Sequence, residues 1–341
     1  MQIHAGHAIK HVHAESFPGG HMVVACRAAN TCRSKGRQQR PLILARKRHG
    51  APMGTMAATT IQLRPAAALQ PLVKQLWWSE SPARAPGSRE HVLPTGQMHL
   101  VFRLSGPALR VFAGREGLQE RVMHDPVLGG ARSGFYAKEL GAPVVSIGAQ
   151  LQPGAAQLLF GVSAAELAER HTSLCDLWGT QARSAWEQIS EARGPQRQLA
   201  MLQALLAARL PAMKGLHPAV AKALAMARGH RIEEMVRASS YSHRGFIAIF
   251  RQATGLSPKR YARLMRFQQL LAALHGCPAS TLTELALAAG YSDQAHMTRE
   301  FREFAGVTPA QYRQPLPASP HHVPLRRPRV RFVQDEPPAL A

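Results

Sequence analysis

The sequence predicts an α+β fold: a β-barrel-like N-terminal domain with packing helices, followed by an all-α domain holding a double helix-turn-helix. Two patterns carry this prediction, and the charge bounds the partners. Near the C-terminus Phe250-Arg-Gln-Ala-Thr-Gly-Leu-Ser-Pro-Lys-Arg-Tyr261 is answered by Phe301-Arg-Glu-Phe-Ala-Gly-Val-Thr-Pro-Ala-Gln-Tyr312, with seven positions matched at one offset of 51 residues. Self-similarity of this kind marks one supersecondary unit used twice. Upstream, His91 to Gly148 consists of short apolar or alternating runs cut by Gly and Pro, as expected for short strands in a barrel or sandwich.

In the second unit Leu282, Leu285, Ala286 and Ala289 share one face of a helix over Thr281 to Ala289, which Gly290 ends. Asp293 caps the next helix, whose Met297, Phe301 and Phe304 recur at spacings of four and three and leave the opposite face polar. Two helices about a glycine turn are helix-turn-helix grammar. The first unit repeats it with Ile232, Met235 and Val236, then Ser242 as cap, then Phe246, Ile249 and Phe250. Ser240 replaces the turn glycine, and a side chain in a left-handed conformation costs on the order of 1 kcal/mol. An apolar and basic helix from about Pro258 to His275 joins the units.

Residues 1–55 hold six histidines and nine Lys/Arg against Glu15 alone, without a sustained period, so they read as a disordered basic extension. A basic arm is one reading; sequence upstream of a start at Met53 or Met56 is the other, and the lack of any periodic motif favours it. Residues 56–210 read as an α+β domain. It opens with a helix in which Leu69, Leu72, Val73, Leu76 and Trp77 fall at helical spacing after Pro65. Met98 to Leu104, Leu109 to Phe112 and Val144 to Ile147 follow as strands. Helices come next over Ala155 to Phe160, over Ser163 to His171 with Glu166 completing a capping box, and over Gln181 to Leu210. The Leu/Ala stripe around Arg197 to Leu210 fits core packing, with a homodimer seam as the alternative. A linker (211–218), the helical domain (219–314) and a basic, Pro-rich tail expected to lack regular structure (315–341) complete the chain.

The formal charge of +22 over 341 residues points to a polyanionic partner. No apolar run is long enough for a membrane span, so no membrane partner is expected, and Cys26, Cys32, Cys175 and Cys277 lack zinc spacing and read as reduced, cytoplasmic thiols.

Gly290-Tyr-Ser-Asp-Gln-Ala-His-Met-Thr-Arg-Glu-Phe301, with Gly306-Val-Thr-Pro309 and Tyr312-Arg313, closely resembles the signature of AraC/XylS-type transcriptional regulators of bacteria. The resemblance spans His217 to Gln314. More loosely, Pro65 to Trp78, His91 to Gly96 and Gln152 to Ala155 resemble a sensor domain of uncharacterised ligand found ahead of this module. It implies a transcription regulator that binds double-stranded DNA with paired helix-turn-helix units, contacts RNA polymerase and answers a small-molecule effector. It also implies base contacts on the N-terminal half of the second recognition helix, at Gln294, His296, Thr298 and Arg299. Helical angles add Arg244, Ile247, Ala248 and Arg251 as the outward residues of the first recognition helix, and Arg244 is its base-reading candidate. Phosphate contacts, or plain surface charge, are expected of Arg251, Lys259, Arg260, Arg263, Arg266 and Arg302.

An enzyme is the first rival. His91, His99 and His124 lie in the β region but lack the spacing of a metal site, and Cys175 lacks the context of a nucleophile, so no catalytic residue, metal or cofactor is assigned. A nonspecific architectural DNA binder is the second.

Overall fold

The computed structural model describes residues 58–113, 119–210, 217–226, 232–277 and 279–325. The basic extension, linker residues 211–216 and the tail beyond 325 lie outside the described residues.

Eleven described strands form two sheets. The first runs in the order β1 (Thr59–Leu63), β2 (Val73–Ser81), β9 (Val144–Leu151), β4 (His99–Arg103), β7 (Val127–Gly129), β10 (His171–Ser173). The second runs β11 (His322–Pro324), β3 (Ser88–Val92), β8 (Tyr136–Leu140), β5 (Leu109–Ala113), β6 (Gln119–Met123). The expected barrel is thus two sheets that do not close among the described residues.

Registers fix which face of the first sheet is the core. Leu76 and Leu100 both pair with Ala149, and Trp78 and Phe102 both pair with Ile147, so these six side chains share one face, and all are buried. Helices cover that face. α1 (Ala155–Phe160), α2 (Ala164–Leu167), α3 (Cys175–Trp178), α4 (Thr180–Glu191) and α5 (Pro195–Ala207) follow β9, with β10 between α2 and α3. The Leu/Ala stripe of α5 buries Leu199, Leu202 and Leu206, and Gln198 on the same helix accepts from Trp78 Nε1 at 2.8 Å. That stripe therefore packs within the chain. Ser163 and Glu166 form the expected capping box of α2, but the helix stops at Leu167 and the chain turns into β10 instead of continuing to His171.

Two other expectations are corrected. Pro65 to Trp78 is a single 3-10 turn, Ala67–Leu69, followed by β2, because β1 and β9 satisfy the backbone of β2 from both sides and outweigh a helical spacing that five residues happened to match. The tail is ordered as far as residue 325. β11 pairs antiparallel with β3, Val323 is buried, and Leu93 N donates to His321 O at 2.9 Å. Prolines are tolerated here because β11 is a short edge strand.

The C-terminal helices are α6 (Pro218–Met226), α7 (Ile232–Ser239), α8 (His243–Thr254), α9 (Pro258–Gly276), α10 (Leu282–Ala288), α11 (Gln294–Ala305) and α12 (Pro309–Arg313). Ser242, Ser257, Thr281, Asp293 and Thr308 each accept a backbone N–H as N-caps. Ser240 does adopt the left-handed conformation, with φ of 60°.

This domain rests against the sheets. His91 Nδ1 bonds Ala305 O at 2.9 Å, Gln268 Nε2 donates to Pro94 O at 2.7 Å, and Gly154 N donates to Ala253 O at 2.8 Å. Gly306 is required twice over. Its φ is 72°, and a Cβ there would meet the Phe135 ring at 2.5 Å.

Candidate nucleic-acid interface

Each recognition helix buries one face and frees the other. In α11, Met297, Phe301 and Phe304 are buried, and Phe267 of α9 packs on Phe301 and Phe304 with ring centroids 5.2 and 5.0 Å away. In α8, Phe246 and Phe250 are buried, and Phe250 meets Tyr261 of α9 edge-on at 5.5 Å. Both helices thus hang on α9 by aromatic contacts, and both follow from the repeated motif. The 19 residues of α9 span about 28 Å at about 1.5 Å per residue.

Charge reinforces the second joint. Glu300, only 3% exposed, accepts from Arg263 Nε at 2.7 Å and Arg266 NH2 at 3.2 Å. Glu303 pairs with both Arg260 and Arg263. Burial works against the Glu303 charge, but hydrogen bonds from Arg263 and Arg260 hold its carboxyl below the usual range. Arginines three apart on α9 thus meet carboxylates three apart on α11. Arg260, Arg263 and Arg266, the expected phosphate contacts or surface charges, thus have their guanidiniums engaged with Glu300 and Glu303, which ties α11 to α9. Lys259, Arg251 and Arg302 remain exposed. A groove of about 460 Å³, lined by Lys259, Arg263, Arg266, His296, Arg299, Glu300 and Glu303, opens between α9 and α11.

The base-reading candidates separate by environment. Arg244 and Arg299 are exposed, with no carboxylate in ion-pair range among the described residues. Gln294 is exposed but bonded to Thr283 of α10, Thr283 Oγ1 to Oε1 at 2.8 Å, which presets its amide. Thr298 is half-buried. His296 turns back on the protein, with Nδ1 3.1 Å from Ser292 Oγ and its ring edge-on to Tyr291 at 5.4 Å. Asp293 holds the helix start by accepting His296 N–H at 2.6 Å, and that bond, with one from Ser292, keeps its carboxyl below the usual range. Ile247 is half-buried and Ala248 exposed, so the free face of α8 is less polar than that of α11.

Residues 235–315 match the family described as helix-turn-helix domain, and residues 61–173 match a domain of unknown function (DUF6597). The C-terminal domain therefore matches a helix-turn-helix family model. An uncharacterized HTH-type transcriptional regulator of Haemophilus influenzae is 34% identical to this chain over 83 residues, 24% of this chain and 28% of that protein. The HTH-type transcriptional regulator MtrA of Neisseria gonorrhoeae is 32% identical over 83 residues, 24% and 27% of the two chains. The chain thus spans little more than a quarter of the relatives it matches. Among solved structures, a probable AraC family transcriptional regulator from Rhodopseudomonas palustris covers 29% of this chain and 96% of its own at 28% identity and TM-score 0.26. ToxT from Vibrio cholerae covers 69% and 96% at 8% identity and TM-score 0.39.

The carboxylates Glu300 and Glu303 escaped the sequence reading. Their signal was present as a spacing of three that matches Arg260, Arg263 and Arg266, but only helix packing says that the two rows face each other.

Proposed function

We propose that the chain is a sequence-specific DNA-binding transcription regulator that reads two neighbouring major-groove segments with α8 and α11, and that the N-terminal domain modulates it in response to an effector. The observation that carries this reading is the free polar face of α11, bearing Arg299, Gln294 and Arg302 on a helix whose opposite face is locked to α9 by Phe301, Phe304, Glu300 and Glu303. A rigid helix of about 28 Å between the two readers approaches the ~34 Å repeat of the major groove, so one polypeptide has the reach for two half-sites. Arg299 offers a guanidinium for guanine O6 and N7, and Gln294 an amide for adenine. Arg244 is the base-reading candidate of α8, and Arg251, Lys259 and Arg302 supply charge for the backbone.

The less polar face of α8 favours a second reading, an architectural protein that follows shape and deformability. Selection of bound DNA from random duplexes separates the two. A regulator enriches one defined motif with two half-sites about one helical turn apart. Enrichment of A-T content without a motif would reject it in favour of the architectural reading.

A further inference from the structure

Both recognition helices end on the same short piece of the N-terminal domain. Residues 130–135 carry the chain from β7 in the first sheet to β8 in the second. At one end of this crossover Ala131 backs onto Gly255, the left-handed C-cap of α8, where a Cβ would lie 3.2 Å from that of Ala131 and 2.9 Å from Ala164 O. At the other end the Phe135 ring lies against Gly306, the left-handed C-cap of α11, and 4.2 Å from the ring of His91, which bonds Ala305 O. Between them Ser133 O accepts from Arg260 NH2, in the first turn of α9, at 2.7 Å. Gly255 and Gly306 are the same position of the doubled motif, five residues after Phe250 and Phe301. In each copy the missing side chain lets the helix end come this close.

The crossover is itself held in place. Glu169, one residue beyond the C-cap of α2, has φ of 63°, a left-handed conformation uncommon for a residue with a Cβ. That turn aims two of its groups at one strip of backbone. Glu169 N donates to Ala131 O at 3.0 Å, and Glu169 Oε1 accepts from Ser133 N at 2.7 Å. Gly130 N donates to Arg170 O at 2.9 Å. A fixed strip that meets both helix ends supplies what α9 alone lacks. The joints of α8 and α11 to α9 are made by side chains, which leave each helix freedom to tilt about its joint. Backbone contact at the end of each helix removes that freedom.

We propose that residues 131–135 are a common seat that fixes the angle and separation of α8 and α11, and thereby sets the spacing between half-sites that the chain accepts. This rests on the two-half-site reading above and goes beyond it. Base identity is read on the free faces of the helices, whereas spacing is set at their C-terminal ends by a loop of the other domain. One base pair more or less moves a half-site by about 3.4 Å and turns it by about 34° around the duplex. A frame held at both helix ends does not follow that displacement, so the second contact is lost. Glu169 acts as a positioning residue: it is exposed, lies outside both recognition helices and bears on them only through the seat.

The test uses the full chain and duplexes that keep the two selected half-sites while the spacer is shortened or lengthened by one base pair, with affinity read by fluorescence anisotropy. The native chain should bind the selected spacing roughly tenfold more tightly than either altered one. Phe135→Ala empties the space against Gly306, and Glu169→Gly keeps the left-handed backbone but releases Ser133 N. Each should flatten the profile to within about threefold and leave the base preferences inside each half-site as they were. Glu169→Gln, whose amide oxygen still accepts from Ser133 N, should restore the preference. Because Glu169 is exposed, its variants test the seat even where Phe135→Ala fails to fold. A flat profile in the native chain, an unchanged profile in either folded variant, a Glu169→Gln variant as permissive as Glu169→Gly, or altered base preference in place of altered spacing overturns the proposal. Selection that yields no motif with two half-sites overturns the two-half-site reading itself, and this proposal with it.

Discussion

At the scale of single residues, two side chains make opposite demands. Arg299 is exposed on the free face of α11 and is the proposed base reader, so Arg299→Ala should cost about 1–3 kcal/mol on a selected site and leave nonspecific binding nearly unchanged. Fluorescence anisotropy on matched and scrambled duplexes measures both; an equal loss on the two would move Arg299 to the phosphate-binding group. Ser240 stands in the turn between α7 and α8 with φ of 60°, where its partner in the second unit is Gly290 with φ of 77°. Ser240→Gly should therefore raise stability, by up to about 1 kcal/mol after allowing for the extra freedom of glycine in the unfolded chain. Denaturant titration reads the change, and a loss of stability would mean that Ser239 and Tyr241 hold the turn by other means.

Among the elements, β11 changes the picture of the module most. Helix-turn-helix units normally need no strand, yet the chain leaves α12, returns to the first domain and extends its second sheet. Tyr312 OH donates to Pro320 O at 2.8 Å, His321 bonds Gln268 of α9 at 2.7 Å, and His322 meets Glu90 of β3 at 2.8 Å. β11 therefore clips the connecting helix to β3. Val323→Asp puts a charge on a buried position of that clip, at a cost of about 2–3 kcal/mol or the docking energy of the strand, whichever is smaller. Hydrogen exchange should show the Leu93 and Leu325 amides, which bond His321 O and Arg89 O, losing protection while the core of α9 keeps it. Unchanged protection at both amides would show that the strand is not held by Val323.

For the molecule as a whole, buried imidazoles predict acid sensitivity. Burial is the main cause that pushes His99 and His321 down to about 4 and His171 down to about 3; the positive groups around them, His322 and Lys74 for the first two, Arg132 and Arg121 for the third, add to it. Each folded-state value lies below the unfolded value near 6.5. The unfolded chain therefore takes up protons first as pH falls, and stability declines from about pH 6.5 toward 4, by up to about 1.4 kcal/mol per pH unit for each histidine. Glu90 acts lower down. Burial raises its pKa, but His322 and Lys138 bring it to about 2, so its contribution is complete above about 4.5 and is lost toward pH 2. Melting temperature should thus fall steadily between pH 7 and 5, before any carboxylate titrates; a flat profile there would mean that these rings are hydrated.

What the sequence determined by itself was the local grammar: the doubled motif, the caps at Ser163, Ser242 and Asp293, the buried aromatic stripes of α8 and α11 and the helix that joins them. These depend on spacing along one helix, which the chain carries explicitly. Only the tertiary structure decided that Leu72 to Trp78 runs into a strand, that Arg260, Arg263 and Arg266 face carboxylates, and that β11 exists. Each of these turns on which distant segment lies alongside, and a residue such as Trp77 satisfies a helical or an extended period equally well until β1 and β9 arrive to take its backbone hydrogen bonds.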